Sequence, residues 1–278
     1  MLIGISGKIG SGKDTVGKII QYLLIPNKGE YIGFETFNEE ALQRASNTYI
    51  KKFADTLKDT VCLWTGCTRE QLEDAKFKDT EIGEDWIRYA YAIGHGNRNG
   101  ETVMWSMTCT EEEYEEQKRI NWQTAYKQPL TYRMLLQLLG TECMRNTIHI
   151  NGWVNALFSG YKPIMVYKGS TPENIKEVES YSNWIITDMR FPNELQAIKD
   201  REGISIRVNR PLSYDNSALS YAENLANKQQ EFNNKQGAFH LSETALDNAE
   251  FDYTIDNTGT IEELIEKVKE IVIKENII

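Results

Sequence analysis

Gly7-Lys8-Ile9-Gly10-Ser11-Gly12-Lys13-Asp14-Thr15 combines three glycines and a lysine at a spacing suited to holding phosphate groups. Glycines at 7, 10 and 12 permit a tight loop whose backbone N–H groups point inward at anionic oxygens. Lys13 stands where its ammonium reaches the β- and γ-phosphates of a nucleoside triphosphate. A helix opening near Lys13 adds the partial positive charge of its N-terminus to the same site. Gly10, Ser11, Gly12, Lys13, Asp14 and Thr15 are therefore the expected ATP-binding set. Asp14 departs from the usual pattern, which has Ser or Thr after the lysine. A carboxylate beside a triphosphate is repelled unless a cation stands between them. Asp14 is thus expected to face Mg²⁺, directly or through a water, with Thr15 on the α-phosphate side. The alternative has Asp14 capping the helix and Thr15 holding the metal, since Asp is favourable at a helix N-terminus in any case.

Moving a phosphoryl group also requires a second substrate held in line and cations to offset the transferred charge. Lys58, Arg133, Arg145, Arg190, Arg207 and Arg210 lie near expected strand ends or helix starts. Arg190 is the best placed. It follows Asp188 by two residues, just past the end of the apolar run Trp184-Ile185-Ile186-Thr187, on the edge where ligands bind in open α/β sheets. Glu194 follows Arg190 by four residues and would share its side of a helix starting at Pro192. The same three residues could equally form a structural ion-pair set at that helix start.

The elements that must position these residues alternate along the chain. Met1 to Ser6 reads as a strand and Lys13 to Leu24 as a helix. Helical spacing recurs over 52–64, and Thr68 with Gln71 forms a capping-box signature. Thr131 to Met144 reads as a helix, Trp184–Asp188 as a buried strand and Pro192 to Arg201 as a helix. Ile204–Val208 and Phe251–Ile255 read as strands, and Ile261–Ile273 as a last amphipathic helix. The alternation predicts an α/β fold with a parallel central sheet. Residues 79–128 interrupt the pattern and read as an insertion. They include a Gly-rich turn around His95 and an acidic run, Glu111–Glu116, read as a solvated helix face. The polar stretch 213–236 sits where a lid could be inserted.

The 278 residues suffice for one large α/β domain with insertions. A net charge of −10 argues against a nucleic-acid polymer as partner, because such proteins need a basic footprint. It leaves room for small phosphorylated ligands. Cys62, Cys67, Cys109 and Cys143 lack paired metal-ligand spacing and read as reduced thiols. Neither a signal segment nor a membrane span is evident. The expectation is a soluble, cytoplasmic protein.

Several blocks then come in a telling order: Phe53-Ala54-Asp55-Thr56-Leu57-Lys58, Leu136-Gln137-Leu138-Leu139-Gly140-Thr141-Glu142, Thr187-Asp188-Met189-Arg190-Phe191-Pro192-Asn193-Glu194, His240-Leu241-Ser242-Glu243 and Ile255-Asp256-Asn257. With the Gly-Lys-Asp-Thr loop they resemble the bacteriophage deoxynucleoside monophosphate kinases. The resemblance implies a P-loop NTPase fold, three-layer α/β/α and adenylate-kinase-like, with helical insertions and a lid, forming one domain over 1–278. It implies transfer of the γ-phosphate of ATP to a deoxynucleoside 5′-monophosphate, with Mg²⁺, giving ADP and a deoxynucleoside diphosphate. Small-molecule substrates, host cytoplasm and a homodimer are compatible with it. By motif position, Lys13, Arg133, Asp188 and Arg190 would be catalytic. Arg133, Gln137, Gly140, Thr141, Trp153, Asp188, Arg190 and Glu194 would hold the acceptor. Arg133 can fork onto a phosphate, Gln137 lies one helical turn along, Gly140 allows close approach and Trp153 can wall a base. Met134 stands beside Arg133 where a second cation would suit a phosphate, which leaves base preference open. A dephospho-CoA or phosphomevalonate type of kinase is the neighbouring reading. An ATP-driven switch is the reading from another class, and it would consume ATP with no acceptor.

Overall fold

The computed structural model describes residues 1–26, 33–96, 102–121, 125–168, 176–210 and 244–278. The chain forms two compact units, Met1–Asp55 with Asn151–Ile278, and Thr56–Ile150. The lid expected at 213–236 and the His240–Glu243 block lie outside the described residues.

The first unit contains β1 (Leu2–Gly7), α1 (Lys13–Leu23), α2 (Glu39–Ser46) and β2 (Thr48–Lys51). The chain returns to it with α8 (Gly152–Phe158), the hairpin β6 (Ile164–Lys168) and β7 (Lys176–Ser180), β8 (Asn183–Met189) and α9 (Pro192–Lys199). It ends with β9 (Ile204–Asn209), β10 (Tyr253–Asp256) and α10 (Ile261–Lys274). Five strands form one sheet in the order β10-β9-β1-β8-β2, and every pair in it is parallel.

The near-continuous apolar runs of β1 and β8 are explained by burial on both faces. Ile3, Ile5 and Ile185 pack with Val16, Ile19 and Ile20 of α1 and Leu264, Val268 and Val272 of α10. Leu2, Trp184 and Ile186 pack on the other face with Val154 and Leu157 of α8 and Leu195 and Ile198 of α9. Each fully buried Ile of this kind contributes about 1.5–3 kcal/mol of transfer free energy, before entropy costs. Helices thus flank the sheet on both sides, as the sequence pattern predicts.

Ends match the sequence reading where local signals are strong. Thr68 accepts from the Gln71 N–H at 3.3 Å, and the Gln71 side chain accepts from the Thr68 N–H at 2.8 Å. Pro192 opens α9 as expected. Three features differ or were not anticipated. α2 and β2 stand outside the elements expected from sequence; Gln21 of α1, buried, donates to the Thr48 carbonyl at 2.6 Å and ties β2 to the core. The helix expected over 131–144 is α-helical only over Tyr132–Gln137, then runs as a π-helix over Leu138–Ile148. Changing the hydrogen-bond step leaves little trace in apolar spacing over so few turns. His95, expected in a turn, lies in a strand whose backbone pairs it with Val103.

The second unit contains α3 from Thr56 onward (Asp55–Thr65 in full), α4 (Arg69–Glu73) and α5 (Ala75–Lys78). An antiparallel sheet follows, of β3 (Ile87–Gly96), β4 (Thr102–Cys109) and β5 (Ala125–Pro129), in the order β4-β3-β5. α6 (Glu111–Asn121) carries the acidic run, and α7 (Tyr132–Gln137) leads into the π-helix. The stretch 79–128 lies inside this unit.

Asp252 fixes the start of β10 to β9. Its carboxylate accepts from the Ser205 N–H at 2.7 Å and from the Ser205 hydroxyl at 2.6 Å. Burial opposes its charge, but the Ser205 bonds and Lys199 outweigh burial and hold its pKa below the usual carboxylate value. Stability from such a group is present above the unfolded pKa of about 3.9 and is lost as pH falls through the lower folded value. In urea unfolding, the stability gap between the parent and Asp252→Asn should stay constant from pH 7 to about pH 5 and close below about pH 4. A gap indifferent to pH would rule out the Ser205 bonds as its source.

Candidate functional site

The glycine loop leaves the carboxyl end of β1, the central strand, with β8 on one side and β9 on the other. Its glycines are demanded by space and by backbone angle. A Cβ on Gly7 would stand 2.4 Å from Ser11 Oγ and 2.5 Å from the Val208 carbonyl oxygen. Gly10 and Gly12 hold φ of +76° and +92°, the left-handed region that side chains disfavour. Gly12 is the N-cap of α1 and supplies no side-chain cap, so the first-turn N–H groups of the helix are left for an anion. Ser11 is 2% exposed, and its hydroxyl has no hydrogen-bond partner among the described residues. A buried polar atom of that kind fits a site that completes itself with ligand oxygens. Lys13 Nζ donates to the Lys8 carbonyl at 3.0 Å, folded over the loop.

Asp14 lies in the first turn of α1, two residues past the cap, so the capping alternative is not the arrangement found. Its carboxylate accepts from the Thr187 hydroxyl at 2.6 Å and pairs with Lys52 at 3.2 Å. Burial works against its charge, but Thr187, Lys52 and Lys13 outweigh burial and keep the carboxyl below its usual range. It is therefore an anion at neutral pH, beside the loop. Thr15 follows in the same turn, half-buried.

β8 carries an irregularity just where the site side chains lie. Gly4 stands opposite Ile186, whereas Ser6 stands opposite Met189, so β8 has one extra residue across this step. Thr187 keeps the face of Ile185: a Cβ on Gly17 of α1 would meet Thr187 Cγ2 at 2.8 Å and Ile185 Cγ2 at 3.5 Å. Asp188 turns elsewhere. One oxygen accepts from the Phe53 N–H at 2.7 Å and the other from the Ala54 N–H at 3.0 Å. Burial raises its pKa, while those two amides and Arg190 pull it back. Asp188 thus anchors the turn that leads into α3.

Arg190 sits just past β8, in a small recess beside the loop that also gathers Lys8 and Arg207. Arg207, directly across from Ser6 in the sheet, donates to the Ser6 hydroxyl at 3.1 Å and to Asp247 at 3.0 Å. Asp247 also pairs with Lys8 at 3.4 Å. Glu194 is 2% exposed and accepts from the N–H groups of Arg190 at 2.7 Å and Phe191 at 3.1 Å. It is half of a capping box at the start of α9, and it fixes the backbone of Arg190. Trp153 of α8 is 5% exposed, so it presents little ring surface.

Arg133, Gln137, Gly140 and Thr141 belong to the second unit. Arg133 forks onto Asp79, with Nε at 2.6 Å and a terminal nitrogen at 3.3 Å, and also donates to the Ala75 carbonyl at 3.2 Å. Lys58 pairs with Glu73 in the same unit. Burial lowers the pKa of the neighbouring Lys78, and the charges of Arg133 and Lys58 lower it further. These three cations therefore gather on one part of the unit. Gly140 is buried, and a Cβ there would stand 2.9 Å from Leu57 Cδ2, so its small size serves packing on α3. Gln137, half-buried, ends α7, and Thr141 lies in the π-helix.

The structure therefore brings together the glycine loop, Asp14, Asp188, Arg190 and Glu194 along one sheet edge. It adds Thr187, Lys52, Arg207, Asp247 and Asn257, of which only Arg207 stood out by its own spacing. Thr187 and Asn257 are marked in sequence only as members of the blocks that carry the family resemblance, with no role attached to either. Such an edge can hold a triphosphate, neutralise it and present cations to a second anion.

Comparison with known proteins bears on this geometry. Residues 1–218 match the family described as deoxynucleotide monophosphate kinase. The chain is also 23% identical over 210 residues to the deoxynucleoside-5′-monophosphate kinase of Escherichia phage T5, over 72% of each protein.

Asp188 supplies one acceptor oxygen to each of two amides. Asp188→Asn leaves one of them without an acceptor and should cost the ligand-free protein about 1–3 kcal/mol in urea unfolding. Unchanged stability would show that these bonds contribute nothing to the fold.

Proposed function

The chain belongs to the deoxynucleotide monophosphate kinase family, whose members are phosphotransferases that use ATP, and from that premise we propose how its residues divide the reaction. Gly10, Ser11, Gly12, Lys13, Asp14 and Thr15 hold the ATP phosphates. The buried hydroxyl of Ser11, unpartnered among the described residues, is the observation that most supports this assignment.

Mg²⁺ fits the donor set at this edge. Asp14 offers one anionic carboxylate, with the hydroxyls of Thr15 and Thr187 beside it. Hard oxygen donors with one carboxylate suit a small cation that arrives with a nucleotide's phosphates. Bound there, Mg²⁺ would offset charge on the β- and γ-phosphates. Lys13, released from the Lys8 carbonyl, would reach the same oxygens.

Arg190 stabilises the transferred phosphoryl charge, and Glu194 positions it by fixing its backbone. Asp188 acts through structure, holding the turn at Phe53 and Ala54. In the second unit, Arg133 takes the acceptor phosphate by exchanging the Asp79 carboxylate for it, since each anion offers two oxygens to the planar guanidinium fork. Gln137 and Thr141 of the same unit supply polar contacts to the acceptor. An acceptor phosphate oxygen is already nucleophilic, so no strong general base is needed.

A coupled ADP-release assay with ATP, Mg²⁺ and each of dAMP, dCMP, dGMP and dTMP tests the whole reading. ADP should form only when an acceptor is present, and the four rates give the base preference. Equal ADP release without acceptor would instead mark a switch ATPase. Arg190→Ala should lower kcat by about 10³-fold or more, with circular dichroism and Tm close to the parent's. Near-parental turnover would assign the charge-stabilising role to another cation, Arg207 being the nearest candidate.

A further inference from the structure

We propose that Asn257 is a positioning residue for the triphosphate site, acting on the glycine loop from the far end of the chain. Its side-chain Nδ2 donates to the Ser11 carbonyl at 2.9 Å, across 246 positions of sequence. The contact is close on the neighbouring residue too: a Cβ on Gly12 would stand 2.5 Å from the same nitrogen.

The physical consequence lies in one peptide plane. The Ser11 C=O and the Gly12 N–H belong to the same trans peptide, so they point in opposite directions. A loop that binds phosphate must turn its N–H groups inward, which turns its carbonyls outward, and an outward carbonyl needs a donor of its own. Asn257 supplies that donor. By holding the Ser11 carbonyl outward, it holds the Gly12 N–H toward the phosphates.

Asn257 is itself well anchored. Its own N–H donates to the Asn209 carbonyl at 2.7 Å, extending the pairing of β10 with β9. Lys267 of α10 donates to the preceding carbonyl, that of Asp256, at 2.7 Å. Asn257 also lies beyond the family-matched residues 1–218, so the final strand and helix become part of the nucleotide-binding apparatus. This inference rests on the reading of the loop as the ATP site.

Asn257→Ala removes the donor, and Asn257→Asp keeps the shape and backbone anchor while replacing the donor with an acceptor. The dissociation constant of a fluorescent ATP analogue and the two KM values are measured for the parent and both variants, with Tm in the absence of ligand. The expected result is an ATP KM and analogue dissociation constant raised about tenfold for Ala and further for Asp, with the acceptor KM within about twofold of the parent. Gly12→Ala provides a second readout. Its penalty on analogue binding should be several-fold smaller in the Asn257→Ala background than in the parent, because the steric part of the penalty is gone and only the φ strain remains. ATP binding unchanged in the Asp variant, or ATP and acceptor KM rising together, overturns the proposal. If Asn257→Ala does not fold, the Asp variant decides by the same split. Failure of the parent itself to bind the analogue overturns the ATP-site reading instead.

Discussion

A glycine loop binds phosphate only if its amides are fixed in direction, and here that direction is inherited from the strand that precedes it. β1 is buried on both faces and paired on both edges, with Ile3 and Ile5 at 1% and 0% exposure. The loop therefore starts from an immobile point. α1 is pinned just as firmly, with Val16, Ile19 and Ile20 in the same core. Loop geometry follows from these two fixed ends, from glycines at the two positions with positive φ, and from the Asn257 contact on the outside.

β8 delivers two neighbouring side chains to opposite partners. Ordinary alternation puts Thr187 on the face of Ile185, toward α1, and Asp188 on the other, toward the amides of Phe53 and Ala54. The extra residue that follows brings Met189, rather than Asp188, opposite Ser6 and into the core with Ile186. Irregularities of this kind recur beside functional sites, where they re-aim a side chain at a local interruption of the ladder.

Carboxylates divide the cationic side chains among themselves along this edge. Asp14 holds Lys52, and Asp247 holds both Lys8 and Arg207. In the second unit, Asp79 holds Arg133 and Glu73 holds Lys58. An overall net charge of −10 is consistent with that pattern, because local cations are matched locally. Such partly exposed pairs are weak, about 0–1 kcal/mol each, so a phosphate dianion can exchange with them at small cost.

Local chemistry determined what depended on neighbours in sequence. The glycine loop, the Thr68–Gln71 box, Pro192 at a helix start and the doubly buried strands were all legible, because each rests on a spacing of a few residues. The antiparallel strands at 87–96 and 102–109 were less so, although Ile87, Tyr89, Tyr91 and Ile93 alternate. Their aromatic and small residues suit strands and loops alike. Asp188, Arg190 and Glu194 stand out in sequence as a group, but their separate contacts do not. Glu194 became a backbone cap, Asp188 an anchor and Trp153 a buried side chain only once the chain was folded. Thr187 on Asp14, Asp247 between two cations and Asn257 on the loop carbonyl join residues 40 to 246 positions apart in sequence. Those partnerships are set by strand order and register, which no local spacing encodes, so only the tertiary structure could decide them.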